Sequence, residues 1–214
     1  AHQWRQPLNE LSIAIQNLEY DYEVELIDKI FLDNFIEKNE GTISFMSRTI
    51  DDFRNFFRTD KQKTKFDINK EIQFVIDMLE AQFKNNFIII ELTKDSFTVE
   101  GYKSEFHQVI LNIVNNAKDI IIERDIKDSI INIIVDSSQK TITIIDNGGG
   151  IPENIIDRVF EPYFTTKEQG KGTGMGLYLS RIIINNMEGN IFVTNTDDGA
   201  KFVIDLKNIK EKND

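Results

Sequence analysis

Residues 140–152 of the chain, KTITIIDNGGGIP, hold the pattern that decides the fold of its second half. The run KTITIID is rich in β-branched residues, which favour an extended strand. Asp146 closes the run, and Asn147 and three glycines follow at once, which predicts a tight turn. A run of the same kind, IINIIVD, occupies residues 130–136. The pattern predicts two strands, the second of which ends in a glycine turn.

Helices and short strands surround this pair. Helical periodicity covers residues 69–84, 103–124 and 175–187, and strand-like runs occupy residues 87–92, 97–101, 189–196 and 199–206. The polar run TDKQKTK at 59–65 is interpreted as a linker. This order of elements is typical of an α+β sandwich. We expect residues 61–214 to form one domain, with a mostly antiparallel sheet and helices over one face.

Residues 1–60 show a different periodicity, which is helical throughout. Apolar residues follow steps of three and four through residues 8–22 and again through residues 32–57, which predicts two helices joined near residues 21–25. The apolar face of the second helix is too wide for one partner helix to cover. We therefore expect an all-α helical hairpin that pairs with a second copy as a four-helix bundle, and hence a homodimer. The alternative is a monomer whose two helices pack on the rest of the chain.

Composition excludes several classes of protein. The 214 residues include 25 Lys and Arg against 36 Asp and Glu, a net charge of -11, so nucleic acid is not an expected partner. The absence of cysteine excludes disulfides and thiolate metal sites, and it favours a reducing, cytoplasmic location. No apolar run reaches the ~20 residues of a membrane span. The chain begins inside a helical pattern, so we expect a longer parent protein, with any membrane anchor outside this chain.

Several stretches have polar or glycine-rich patterns suited to a ligand. Residues 170–177, GKGTGMGL, bring a glycine-rich loop to a helix N-terminus, where backbone N–H groups favour phosphate. Asn112 and Asn116 are one helical turn apart, and an amide oxygen is a ligand that Mg²⁺ accepts. The carboxylate of Asp146 can accept hydrogen bonds from an amino group such as that of adenine. Each stretch also has a structural interpretation, as a tight turn, a solvated loop or a helix surface.

The two histidines of the chain lie in different surroundings. His107 is expected to have no catalytic role. His2 lies about 160° around the first helix from Trp4, on the outer face, and Pro7 follows it by five positions. Taken alone, His2 is better explained as an exposed helix start than as a catalytic residue.

Four segments of the second half resemble, in order and spacing, the N, G1, F and G2 boxes of the ATP-binding domain of sensor histidine kinases. They are NIVNNAKD (112–119), DNGGGIP (146–152), FEPYFTTK (160–167) and GKGTGMGL (170–177). The wider superfamily includes gyrase, Hsp90 and MutL. HQWRQPLN (2–9) is similar to the phosphoacceptor H box of one histidine kinase subgroup. The resemblance implies a two-component sensor kinase that binds Mg·ATP, phosphorylates itself and passes the phosphoryl group to an aspartate of a response regulator receiver domain.

The resemblance also implies roles for individual residues. His2 is the phosphoacceptor and forms the catalytic group with Gln3 and Asn112. Asn116 coordinates Mg²⁺ and contacts the nucleotide, and Asp146 binds the adenine amino group. The other residues assigned to the ATP site are Gly148, Gly150, Phe160, Phe164, Lys167, Lys171, Gly172, Thr173, Gly174, Gly176 and Leu177.

Gln3 is a departure from the family pattern. Many relatives have Glu or Asp directly after the phosphoacceptor histidine. An amide can orient the imidazole by hydrogen bonding, but it cannot act as an ordinary base. The group that takes the proton of His2 therefore stays open.

Two other functions stay open at this point. One is a clamp-like or chaperone-like ATPase of the same superfamily, against which the H box and the heptad pattern argue. The other is a non-catalytic dimerisation and docking module, against which the intact glycine and asparagine boxes argue.

Overall fold

The computed structural model describes residues 2–23, 26–56, 63–167 and 172–207, without the side chains of residues 2–7, 10, 44–45 and 48–56. The chain forms two compact units. The first, here called the helical unit, comprises Ala1–Arg58 with Thr165–Thr173, and the second, the mixed unit, comprises Thr59–Phe164 with Gly174–Asp214.

The helical unit contains two long helices, α1 (His2–Glu23) and α2 (Lys29–Phe56). Asp28 caps the start of α2, because its Oδ1 accepts a hydrogen bond from the backbone N–H of Phe31 at 2.7 Å. Both predicted helices are therefore present. Their packing as a hairpin and the pairing of that hairpin with a second copy stay predictions.

The mixed unit alternates strands and helices. Its elements are β1 (Thr64–Asp67), α3 (Ile68–Asn85), β2 (Ile89–Leu92), β3 (Thr98–Gly101), α4 (Lys103–Glu123), β4 (Ile130–Asp136), β5 (Thr141–Asp146), α5 (Glu153–Ile156), α6 (Gly176–Asn186), β6 (Asn190–Asn195) and β7 (Ala200–Asp205). Five strands form one sheet in the order β2-β4-β5-β7-β6, while β1 and β3 form a separate antiparallel pair.

The five-stranded sheet is mixed: it is mostly antiparallel, as the sequence predicts, but one of its four pairings is parallel. β2 runs parallel to β4, with Ile89 opposite Ile130, and the other three pairings are antiparallel. The reason lies in the connection, since the chain between β2 and β4 passes through β3 and α4. A crossover of this length can return a strand in the same direction, which a tight hairpin cannot do. A domain of helices packed on a sheet is confirmed.

The run TDKQKTK, interpreted above as a linker, ends in a strand. Thr64 and Lys65 open β1, which pairs with β3. Only Phe66 is fully buried among the four residues of β1. A strand with only one buried side chain shows no alternation of apolar and polar residues, so its sequence cannot be told apart from that of a polar linker.

The core of the mixed unit lies between the sheet and the helices α3, α4 and α6. Strand β5 contributes Ile142 and Ile144, both buried, and they lie on the face that the helices cover. Side chains two positions apart share one face of a strand. Asp146 therefore follows Ile142 and Ile144 onto the covered face, at the point where β5 ends.

Candidate functional site

Asp146 is a buried carboxylate at the end of β5, with 6% of its surface exposed. Its Oδ1 accepts hydrogen bonds from the backbone N–H groups of Gly148 at 2.9 Å and Ala200 at 3.2 Å. Burial raises the pKa of the Asp146 carboxyl above its ordinary value, while these two bonds and the charge of Arg124 oppose the rise. Because both bonds end on one oxygen, the carboxylate keeps acceptor capacity for a ligand.

The glycine turn that follows β5 is shaped by close neighbours. Gly149 and Gly150 have φ angles of 82° and 73°, in the left-handed region that favours glycine. A Cβ at Gly148 would lie 2.7 Å from Ile120 Cγ2, and one at Gly150 would lie 2.8 Å from Asn195 Oδ1. The turn therefore requires glycine, and its bare backbone can come close to a flat ligand.

The loop between β6 and β7 contacts the same region. A Cβ at Gly199 would lie 1.8 Å from the backbone oxygen of Asp146. The Asn195 side chain accepts from the Ile151 N–H at 2.8 Å and donates to the Ile151 carbonyl at 2.7 Å. Sequence reasoning missed Asn195 and Gly199, because they belong to an ordinary hairpin turn and Asn195 acts on a residue 44 positions away.

Asn112 and Asn116 lie one turn apart on α4, and both are half-buried. The Nδ2 group of Asn112 donates to the Gly176 carbonyl at 3.0 Å and to Ser180 Oγ at 3.1 Å, and that hydroxyl donates to the same carbonyl at 2.9 Å. Asn112 thus ties α4 to the first turn of α6. Ser180, which is fully buried, was also missed. Its signal in the sequence is a single serine within the largely apolar run LYLSRIII.

We expect Asn112→Ala to lower the free energy of unfolding by about 1–3 kcal/mol, because two hydrogen bonds between helices are lost. Asn115→Ala is the matched control, since Asn115 is a half-buried asparagine of the same helix. That control should change the free energy by less than about 0.5 kcal/mol. Urea denaturation of the ligand-free chain measures both values, and equal stability of the two variants would contradict the structural role of Asn112.

The FEPYFTTK segment is anchored by its two phenylalanines. Phe160 is buried, its ring meets Phe202 edge-on with centroids 6.4 Å apart, and its carbonyl accepts a hydrogen bond from Arg181 at 3.0 Å. The Arg158 guanidinium lies 4.6 Å from the centroid of the Phe164 ring. These contacts hold the segment that precedes the second glycine-rich loop.

Gly174 closes that loop against the same segment. Its carbonyl accepts a hydrogen bond from the Tyr163 N–H at 2.8 Å. Its φ angle is 63°, and a Cβ there would lie 2.4 Å from the Tyr163 carbonyl carbon. Gly176 and the half-buried Leu177 follow as the first residues of α6. The structure therefore places Gly174, Gly176 and Leu177 at a helix N-terminus.

The remaining predicted residues are described in part. α1 begins at His2, followed by Gln3, but the side chains of both lie outside the described residues, as does the whole of Lys171. Three predicted residues belong to the segment grouped with the helical unit: Lys167, Gly172 and Thr173.

Among the described residues, no group of three or more His, Cys, Asp or Glu side chains could hold a metal ion. A Mg²⁺ ion that bridges nucleotide phosphates needs only one or two protein oxygens. The half-buried amide of Asn116 supplies an oxygen of that kind, so the donor set fits such an ion. Within the described parts of the chain, no helix has the length and apolar character to cross a membrane.

Comparison with known proteins agrees with this geometry. Residues 101–209 match the family described as histidine kinase-, DNA gyrase B-, and HSP90-like ATPase. The two-component sensor PprA of Pseudomonas aeruginosa is 27% identical over 215 residues, which cover 96% of this chain and 23% of PprA. The chain thus spans less than a quarter of that relative.

Two solved structures extend the comparison. The nucleotide-free catalytic domain of histidine kinase ThkA is 30% identical, with a TM-score of 0.57 over 67% of this chain and 93% of that domain. ThkA in complex with the response regulator protein TrrA shares the fold at 22% identity, with a TM-score of 0.70 over 95% of this chain and 59% of that one. The resemblance drawn from the sequence boxes is confirmed: the chain belongs to the histidine kinase-, DNA gyrase B- and HSP90-like ATPase family and, within it, to the sensor histidine kinases.

Proposed function

We propose that this chain binds Mg·ATP, transfers the γ-phosphoryl group to His2 and passes it to an aspartate of a response regulator receiver domain. The observation that carries the proposal is the buried Asp146 carboxylate, one oxygen of which is held by two backbone N–H groups beside a turn of glycines. Residues 1–60 are the proposed dimerisation and phosphoacceptor domain, and residues 61–214 the proposed ATP-binding domain.

The adenine end of the site is assigned to Asp146 and the glycine turn. The carboxylate accepts a hydrogen bond from the adenine amino group, and Gly148 and Gly150 let the backbone approach the ring. Because one carboxylate oxygen is already held by Gly148 and Ala200, the other is oriented before the nucleotide binds. Such preorganisation reduces the entropy lost on binding.

The phosphate end is assigned to α4, the start of α6 and the loop before it. Asn116 is the proposed Mg²⁺ ligand, and the ion, when bound, neutralises charge on the phosphates. Asn112 holds the N-terminus of α6 next to α4 through its hydrogen bonds to Gly176 and Ser180. These bonds fix the distance between the two elements that are proposed to face the phosphates. The remaining proposed phosphate contacts are Lys167, Lys171, Gly172, Thr173 and Gly174, on the stretch between Phe164 and α6, and Phe160 and Phe164 are the proposed anchor of that stretch.

His2 is the proposed acceptor of the phosphoryl group. A ring nitrogen of the neutral imidazole attacks the γ-phosphorus and forms a P–N bond, the bond to the β,γ-bridging oxygen breaks, and ADP leaves. The other ring nitrogen then loses its proton to solvent or to a side chain nearby. Gln3 is assigned the task of orienting the ring, because an amide donates and accepts hydrogen bonds but is no ordinary base.

A homodimer is proposed from the apolar surface of the helical unit. Five aliphatic side chains on its helices are 39% to 63% exposed, namely Leu8, Ile15, Leu32, Ile36 and Ile43. They lie within the predicted helical stripes, and a second hairpin would cover them. The receiver domain is proposed to dock on the helices near His2, where it can reach the phosphoryl group. The response regulator in the ThkA structure supports a partner of this class.

Incubation of the chain with γ-labelled ATP and Mg²⁺ tests the phosphoacceptor. We expect acid-labile label on the wild-type chain and a complete loss of label in His2→Ala. His107→Gln is the matched control, because His107 is the second of only two histidines. Its Nε2 lies 2.8 Å from Glu71 Oε2 and its ring stacks on Phe74. That variant should keep its label.

Label that survives His2→Ala would overturn the assignment of the phosphoacceptor. Release of phosphate from ATP by the wild-type chain, without any labelled protein, would favour a clamp-like ATPase of the same superfamily. A titration of ADP into the same sample separates loss of nucleotide binding from loss of transfer.

A further inference from the structure

Arg124 follows α4 directly and its side chain contacts the glycine turn. Its Nη1 donates to the Gly148 carbonyl at 2.6 Å and to the Gly150 carbonyl at 3.1 Å. Its backbone N–H caps the helix by donating to the Ile120 carbonyl, so the side chain extends from a rigid point. Hydrogen bonds from a charged donor are about twice as strong as neutral ones. The turn is thereby joined to the end of α4.

The guanidinium also occupies the space beside Gly149. A Cβ at Gly149 would lie 2.7 Å from Nη1 of Arg124. The β6–β7 loop supplies further bonds to the turn, from Gly149 N–H to the Asp198 carbonyl at 2.8 Å and between Asn195 and Ile151. Three consecutive glycines have no side chains with which to hold a conformation. Their position therefore depends on such contacts, and Arg124 provides hydrogen bonds from the α4 end.

The same helix contains the proposed metal ligand. Asn112, Asn116 and Ile120 follow one another at intervals of four on α4, with a drift of about 40° around the axis per step, and Arg124 comes four residues later at the end of the helix. Ile120 already packs against the position of Gly148. Arg124 therefore connects the adenine turn to the element from which Asn116 projects.

We propose that Arg124 is a positioning residue of the nucleotide site: it holds the glycine turn at a set spacing from α4, so that the base pocket is formed before the nucleotide binds. This inference rests on the proposed nucleotide site. Glycine loses more conformational freedom on ordering than any other residue, so a turn held in advance favours binding. The charge of Arg124 also opposes the rise in the pKa of Asp146 that burial causes.

Arg124→Gln is expected to weaken the binding of both ADP and adenosine by about tenfold, because the lost contacts act on the base turn and not on the phosphates. Arg124→Lys keeps the charge and should bind both ligands within about threefold of wild type. Lys127→Gln is the control. Lys127 is an exposed cation three residues further on that pairs with Asp125 at 2.8 Å, and its variant should bind like wild type. Calorimetric titration measures the dissociation constant of ADP in the presence of Mg²⁺, and chemical-shift titration measures that of adenosine.

Three results would overturn the inference: wild-type affinity of Arg124→Gln for both ligands, a loss confined to ADP, or a lysine variant no better than the glutamine variant. Binding of neither ligand by the wild-type chain would instead count against the proposed function. Amide hydrogen exchange of ligand-free Arg124→Ala, which removes both donated hydrogen bonds, covers the case in which Arg124→Gln does not fold. Exchange at Gly149 and Ile151 should be several-fold faster than in wild type, and unchanged exchange at both would overturn the inference.

Discussion

Asp146→Asn is expected to weaken ATP binding roughly a hundredfold. The amide keeps one oxygen that can accept from the N–H groups of Gly148 and Ala200, so its NH₂ group takes the place of the second carboxylate oxygen. That donor then meets the adenine amino group, which is also a donor. The loss of a charge-assisted hydrogen bond together with two opposed donors costs about 3 kcal/mol. Titration calorimetry with Mg·ATP measures the change.

The same variant is expected to be at least as stable as wild type at neutral pH. Burial raises the pKa of Asp146, so the folded chain binds its proton more tightly than the unfolded chain, whose aspartate has a pKa near 3.8. Between neutral pH and the raised folded pKa, the buried charge lowers the free energy of unfolding. This penalty decreases as the pH falls through the pKa that Asp146 has in the folded chain, and it is absent below pH 3.8, the pKa of the unfolded aspartate. Asparagine does not titrate, so the advantage of Asp146→Asn should shrink in thermal melts as the pH falls from 7 towards 4.

Asp136→Asn is the control of opposite sign. Asp136 ends the neighbouring strand β4, and hydrogen bonds from Ser138 Oγ and the Gln139 N–H lower the pKa of its carboxyl. Its ionised form stabilises the fold above the unfolded pKa, and this contribution is lost as the pH falls through the folded pKa. Asp136→Asn should therefore melt earlier than wild type at pH 7 and bind ATP normally. If Asp146→Asn binds ATP with wild-type affinity, the assignment of Asp146 to the adenine amino group is wrong.

Gly199→Ala is expected to lower the free energy of unfolding by about 3 kcal/mol and to abolish nucleotide binding. The new Cβ would lie 1.8 Å from the backbone oxygen of Asp146 and 2.9 Å from Asn147 Cα. Both atoms belong to backbone that is paired in the sheet or held in the glycine turn, so neither can move cheaply. The loop must therefore shift, and the bond from Ala200 N–H to Asp146 Oδ1 is lost with it.

Asp197→Ala is the control for this variant, since Asp197 is an exposed residue of the same loop. It should change the free energy of unfolding by less than about 0.5 kcal/mol. For a unit of this size, the loss expected in Gly199→Ala corresponds to a melting temperature roughly 10 °C lower. A melting temperature close to that of Asp197→Ala would show that the loop tolerates a side chain.

Strands and helices with a strong local pattern were predicted closely from the sequence. The run IINIIVD predicted a strand over residues 130–136, and β4 spans Ile130–Asp136. The helix predicted over residues 103–124 is α4, Lys103–Glu123. In both, neighbouring side chains alternate between core and surface with the period of the element. β1 was missed because a single buried residue, Phe66, produces no period.

The residues of the candidate site also fall into a group that the sequence predicted and a group that it did not. Asp146, the glycine turn and the asparagines of α4 were found because each lies in a short, contiguous box. Arg124, Ser180 and Asn195 were missed, because nothing in their immediate neighbours distinguishes them. Their roles arise from partners 24, 68 and 44 positions away.

By itself, then, the sequence determined the order of the elements that have a strong local pattern, the two periodicities, the family and the boxes of the proposed nucleotide site, because each of these depends on residues adjacent in the chain. The tertiary structure alone decided that β2 runs parallel to β4, and that Arg124, Asn195 and Gly199 converge on one turn of glycines. The physical reason is that these features depend on which distant backbone groups meet. Glycine has no side chain of its own, so the contacts that hold the turn come from elsewhere in the chain.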